Sequence, residues 1–269
     1  MRSSFVFIAC LTACSFAAPA FFDNAYNFSN DLSEFLGRVS KHIEHSKDIL
    51  SSATCDTSSI ELPAQASGLP SPSGQKLLYV ALGRGTQVSQ IQLHPAGHHT
   101  KTNIRQNYTC ATPSTNSTPV AVGAVANLYN ATCIAGSFSD MITMLPNIAY
   151  RIPLPNSDSD RLPPANLDLM GHHFFDGSTP VFNLDTTATH QYGIARTKKE
   201  AQVDAPSNAF QGNNGAVAWL YLSATSGTVG DYSGVYRVDT AAGSPPKTCK
   251  DMPSEFTVQY AANYYFYGK

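Results

Sequence analysis

Charge is scarce in this chain. Asp, Glu, Lys and Arg make up 13% of its 269 residues, about half the usual share. Seventeen basic and 19 acidic side chains leave a net charge of -2. Without a basic field there is no electrostatic footprint for nucleic acid, and without an acidic tail there is none for a solvating partner. Tryptophan occurs once, at Trp219. Beyond the N-terminus no apolar run is long enough to span a bilayer, and the ending Tyr264-Tyr265-Phe266-Tyr267-Gly268-Lys269 does not read as a lipid-anchor tail. No internal repeat is visible. The nucleophile elbow G-x-S-x-G is missing, since Gly230-Asp231-Tyr232-Ser233-Gly234 does not fit it.

What the chain does hold is 42% hydrophobic residues, 18 Gly and 17 Pro among many Ser, Thr, Asn and Gln. That mixture suits a many-turned β protein large enough to bury a core. Arg2, the apolar run Phe5–Leu11 and the small residues up to Ala20 read as a secretory signal peptide, residues 1–20, cleaved after Ala17 or Ala20. The expected location is extracellular, with no membrane anchor. Cys10 and Cys14 leave with that segment, so Cys55, Cys110, Cys133 and Cys249 remain. An even count in a secreted chain reads as two disulfides with three possible connectivities. The preferred one joins Cys110–Cys249 within the β domain and uses Cys55–Cys133 to tie down the segment before it. N-glycosylation sequons stand at Asn27, Asn107, Asn116 and Asn130.

Residues 21–50 hold one amphipathic helix over 31–50. Asp31 is placed to cap it, Glu34 follows in the capping-box position, and Leu32, Phe35, Leu36, Val39 and Ile43 recur at helical spacing. Residues 51–75 are a Ser/Pro/Gly-rich linker, and residues 76–269 are the β domain. Its strands are expected at Leu77–Leu82, Val120–Cys133 (kinked at Gly123), His172–Phe175, Val181–Leu184, Tyr192–Thr197, Gly215–Leu222, Val235–Asp239 and Phe256–Tyr267. Gly83-Arg84-Gly85 reads as a hairpin turn and Pro146–Pro164 as a proline-rich loop. The last strand alternates cleanly, with Tyr265 and Tyr267 on its more polar side. The expected fold is all-β, a β-sandwich or closed β-barrel of about nine to ten strands behind one N-terminal helix.

Several segments in order carry a resemblance. They are Leu77–Gln87 with Asn107–Cys110, Pro119–Cys133, Gly171–Phe175, Gly215–Gly227, Val235–Cys249 and Phe256–Gly268. Together the chain resembles the DUF3455 family, in its fungal secreted branch, over about residues 55–269. The resemblance implies a secreted all-β domain whose activity is not established. Some members carry the label malate dehydrogenase. The residues do not support NAD chemistry, because Gly83-Arg84-Gly85-Thr86-Gln87-Val88 lacks the third glycine of a dinucleotide loop and no alternating βαβ pattern follows. The family pattern also passes directly from Gly-Thr-Gln into Asn-Tyr-Thr-Cys. Here the 19 residues Val88–Gln106 stand between them, longer than most structureless loops of compact domains. Val88-Ser89 can be encoded as a splice donor, Thr102-Asn103 as a branch site and Gln106 as an acceptor. The segment 88–106 is therefore read as an in-frame intron left unspliced.

Of eight histidines, His94, His98 and His99 lie in that segment and His42 and His45 on the helix. His172, His173 and His190, with Asp176, remain as candidates for a catalytic or metal site. Neighbours on a strand face opposite ways, so His172 and His173 share one ion only across a bulge. No metal or other cofactor is expected. Glycosidase chemistry needs facing carboxylates, and nothing in the sequence pairs Glu200, Asp204, Asp231 or Asp239. Arg84 between two glycines is a candidate for an anionic ligand, and Tyr265 and Tyr267 are candidates for stacking on sugar rings. The leading expectation is a non-catalytic extracellular protein binding cell-wall polysaccharide or another glycan, with a secreted His/Asp enzyme as the alternative. The intron reading has a direct check. Sequencing of the transcript is expected to find message lacking the codons for 88–106, and message that carries them uniformly would defeat it.

Overall fold

The computed structural model describes residues 30–39, 55–86, 106–111, 114, 116–153, 161–185 and 191–269. The expected signal segment, Asn27, the second half of the expected helix, residues 87–105 and His190 lie outside the described residues. Ten strands are present: β1 (Lys76–Thr86), β2 (Gln106–Thr109), β3 (Val120–Gly123), β4 (Val125–Asn130), β5 (Leu169–Asp176), β6 (Thr179–Asn183), β7 (Ile194–Val203), β8 (Trp219–Ala224), β9 (Tyr232–Ala242) and β10 (Glu255–Gly268). Eight of them, in the order β1-β4-β5-β6-β7-β8-β9-β10, close into a barrel where β10 pairs with β1. β2 and β3 extend the sheet past the rim, on the N-terminal end of β10. Every pairing is antiparallel. The fold is thus a closed all-β barrel, with no crevice of the kind parallel sheets offer a dinucleotide.

Strand β10 organises the barrel because both of its faces are dry. Tyr260, Ala262, Tyr264 and Phe266 enter the interior cluster with Ala81, Ala126, Leu128, Phe182, Ala195 and Val235. Tyr265 and Tyr267 enter a second cluster outside the barrel wall, with Leu82, Tyr129, Tyr236, Met141, Leu145 and Ile148. Two tyrosines and a phenylalanine of β10 converge within a narrow barrel, so small residues must face them. That requirement explains Gly83, and the close approach of β4 explains Gly85. They do not turn the chain as the sequence suggested; β1 runs straight through them and pairs with β10 from Lys76 to Thr86. A Cβ on Gly83 would meet the Tyr264 ring at 2.3 Å, and one on Gly85 would meet the Val125 carbonyl oxygen at 2.2 Å. These glycines serve close approach between strands.

The outer face of β1, β9 and β10 is covered by three short helices that the sequence pattern did not reveal: α2 (Thr132–Ser137), α3 (Ser139–Ile142) and α4 (Leu145–Arg151). The expected proline-rich loop starts as α4 because Pro146 sits in the first turn, where no backbone donor is needed. The expected strand Val120–Cys133 is β3 and β4, parted at Ala124, and then α2. The helix α1, residues 30–39, docks on this cap. Its Phe35 is buried in the outer cluster. Arg38 pairs with Asp140 at 2.6 Å, and Arg151 pairs with Asp31 at 2.7 Å. Asp31 therefore lies within the helix as an ion-pair partner. Cys55 is bonded to Cys133, at the start of α2, and Cys110 to Cys249. The first bridge fixes the segment before β1 to the cap, and the second closes a loop of sequence separation 139 around the extended sheet. Such links stabilise chiefly by restricting the unfolded chain.

The glycine reading yields a stability test. Gly85→Ala is expected to cost roughly 1–3 kcal/mol or more, since a backbone oxygen cannot yield, and to lower Tm by several degrees in a thermal melt. Gly37→Ala on α1 meets nothing within 4 Å, and should be neutral or slightly stabilising. Equal effects would show that β1 and β4 do not approach as described.

Candidate functional site

The histidine constellation does not assemble. His173 faces the barrel interior, stacked on Phe182 with ring centroids 4.2 Å apart, its Nδ1 2.9 Å from the Val181 carbonyl oxygen. Burial holds its pKa down to about 4. His172, on the other face of β5, lies with Nδ1 3.1 Å from Asn127 Oδ1. Asp176 accepts from Arg196 at 2.8 Å, and His190 lies outside the described residues. Among the described residues no group of three His, Cys, Asp or Glu side chains can hold a metal ion.

Arg84 is also committed elsewhere. It lies on the outer face of β1, 4% exposed. Its Nε donates to Ala149 O at 2.7 Å and one terminal nitrogen donates to Tyr150 O at 2.9 Å. Burial lowers its pKa to about 10, which still leaves it a cation at neutral pH. It caps the carbonyl end of α4, where positive charge is favourable. Tyr265 and Tyr267 are likewise not surface stacking platforms. They are 1% and 5% exposed, because the helices cover the side of β10 that the sequence left to solvent. The large hydrophobic side chains exposed among the described residues are Leu36, Val120, Val122 and Val229, none of them aromatic. Of the sequons, Asn116 is exposed, whereas Asn130 accepts the Thr132 amide and Thr132 is buried against Val80.

A different place gathers unsatisfied chemistry. It lies between the barrel wall and its cap, in a cavity of about 240 Å³ lined by Gln65, Thr143, Asn147, Asn208, Trp219 and Asp239, with Pro206, Ala209 and Thr240. Its centre is made by an irregularity in β9. Val238 pairs with Asn263 and Ala241 with Ala261, so Asp239 and Thr240 together stand opposite Ala262. This is a β-bulge, which kinks a strand and re-aims its side chains. Asp239 takes the left-handed conformation there, with φ 50°, one that Asp tolerates better than most residues. Its Oδ2 accepts from Asn263 Nδ2 at 2.9 Å. Asn263 is completely buried and spends its other amide hydrogen on Ile142 O, also at 2.9 Å.

Three buried side-chain atoms lack a hydrogen-bond partner among the described residues, and two belong to this patch: Trp219 Nε1 and Asn263 Oδ1. The third is Arg237 Nε. Native structures satisfy nearly all such atoms, so each of these is a local departure from the rule. Burial also raises the Asp239 carboxyl to about 6, the hydrogen bond from Asn263 opposing the shift. A carboxyl with that pKa both accepts and donates near neutral pH. Around it stand neutral amides, hydroxyls and an indole. Among the described residues Asp239 is the one carboxylate of the lining, and the amides and hydroxyls around it suit recognition of polar groups. Sequence reasoning named Asp239 only as an unpaired acid and noted Trp219 only as the single tryptophan. The available signal was the polar pair Asp239-Thr240 breaking the apolar run of β9. The contributions of Gln65, Asn147 and Asn208 carry no motif.

Titration tests the electrostatics. The Asp239 pKa is raised in the folded state, so its contribution to stability is full below pH 3.8 and is lost as pH rises through about 6. His173 is depressed, so its contribution is full above pH 6.5 and is lost as pH falls through about 4. The two slopes oppose each other. Asp239→Asn is expected to raise stability at pH 7.5, by on the order of 1 kcal/mol given the residue's partial exposure. It should also uncover a steady loss from pH 6.5 to 4 that the wild type lacks. Tm against pH for both proteins checks this, and parallel curves would remove Asp239 as a perturbed group.

Comparison with known proteins adds the family. No curated protein and no solved structure is significantly similar to the chain. Residues 9–70 match the family model described as Protein of unknown function (DUF2990), which takes in the N-terminal helix and the segment pinned by Cys55. Residues 92–268 match the model described as Protein of unknown function (DUF3455). That second match spans β2 to β10, nearly the whole barrel and most of the chain, and the protein belongs to the DUF3455 family.

Proposed function

We propose that this is a secreted, glycosylated, non-catalytic protein that binds an extracellular carbohydrate, such as a terminal unit of a cell-wall polysaccharide, in the cavity over Asp239 and Trp219. The observation that carries the reading is the lining: three side-chain amides, two threonines, one carboxyl and an indole. Sugars present many hydroxyls, each a donor and an acceptor, and a site matches them with neutral polar groups of both kinds at fixed positions. The positions are firm, because Trp219 and Asp239 stand on adjacent barrel strands and Asn147 on the cap. Rigid elements hold recognition geometry better than loops do. The two disulfides and the apolar N-terminal run fit an oxidising, extracellular setting.

The test is calorimetric titration of the purified protein with soluble oligosaccharides from fungal and plant cell walls, with product analysis by chromatography. Binding of at least one oligosaccharide without cleavage is expected. Asn147→Ala and Asp239→Asn should each weaken it about tenfold, the effect of one good hydrogen bond to ligand. Binding that neither substitution changes would place the ligand elsewhere. Release of shortened sugars would make the protein an enzyme.

A further inference from the structure

Strands β1 and β2 are separated by residues 87–105 in sequence, yet they lie end to end along one edge of β10. Thr86 is the last residue of β1 to pair, opposite Gln259. Gln106 is the first of β2, opposite Val258, and Asn107, Tyr108 and Thr109 continue opposite Thr257, Phe256 and Glu255. No residue of β10 is skipped at the junction and none is used twice. The other neighbour shows the same continuity. β1 pairs with β4 and β2 pairs with β3, and β3 and β4 are separated only by Ala124.

Side-chain parity is preserved as well. Ala81 faces the interior opposite Tyr264. On β2, Tyr108 is buried and stacks on Phe256, which lies an even number of residues from Tyr264 on the same strand. A strand that arrived in this place independently could take either parity, since a slip of one residue turns every side chain to the opposite face. The boundaries also match. Gln87 and Gln106 are the same residue type, so removing 87–105 or 88–106 gives the same joined sequence, Gly85-Thr86-Gln-Asn107. In an uninterrupted strand the residues just upstream of Asn107 would be β1 itself.

We infer that β1 and β2 are a single barrel strand divided by a 19-residue insertion, and that the chain lacking Val88–Gln106 is a complete, folded form of this protein. The inference is independent of what the cavity at Asp239 binds. Two deletions in the otherwise full chain test it. Removing 88–106 restores the register, whereas removing 87–106 takes one residue more and turns Tyr108 to the wrong face. The first variant is expected to be secreted with both disulfides formed and to melt no lower than the full chain. The second should be poorly secreted or melt many degrees lower. Equal behaviour of the two deletions overturns the inference, whether both fold or both fail. So does a first deletion that melts below the full chain.

Discussion

The structure depends on β10 being buried on both faces while it is hydrogen-bonded on both edges. A strand in that position needs four partners, and each imposes a rule on another part of the chain. On its edges β9 and β1 close the barrel, and β2 takes the place of β1 towards the N-terminal end. On its inner face Tyr260, Tyr264 and Phe266 fill a narrow interior. Close packing leaves no slack for a second set of large residues, and alanines and Gly83 stand opposite. The hydroxyls of Tyr260 and Tyr264 bond to each other at 2.9 Å, so the polar ends of these rings need no water.

The outer face of β10 sets a different rule. Tyr265 and Tyr267 are dry only because the helical cap covers them, and short helices bring unpaired carbonyls into a buried layer. Strand side chains on that face satisfy them. Arg84 donates to Ala149 and Tyr150, Gln259 to Tyr150 and Asn263 to Ile142. Polar residues buried in the wall thus complete the cap. This is why Arg84, which looks like a free cation in sequence, is a structural group.

How much of this was legible in the sequence follows from the range of each signal. The alternation of β10, the turn-rich composition and the even cysteine count are local or compositional, and they pointed to an all-β domain of about ten strands. Gly83 and Gly85 were misread because glycine supports a turn and close strand approach equally, and only the distant Tyr264 and Val125 decide between them. Helices α2 to α4 are too short to show a helical period, and Pro146 resembles a loop signal until its place in a first turn is known. Tyr265 and Tyr267 were assigned to a solvent face because nothing in the last strand announces a cap built from residues 132–151. The candidate cavity was the least legible feature. Its lining comes from five separate stretches between Gln65 and Thr240, joined only by the closed barrel.

The location of that cavity follows from the same constraint. A fold in which local preference, packing and hydrogen bonding agree everywhere has no reason to keep a left-handed aspartate, a carboxyl pushed towards neutrality and an indole N–H with no partner among the described residues. These three departures occur together, at the one point where the cap meets a bulged strand beside β10. Nothing in the barrel requires Asp239 to be there, because Asn263 already has Ile142 as a partner and an asparagine at 239 would accept the same bond without a charge. The carboxyl of Asp239, pushed up towards neutrality by burial, is thus a group that neither the packing nor the hydrogen bonding of the wall calls for.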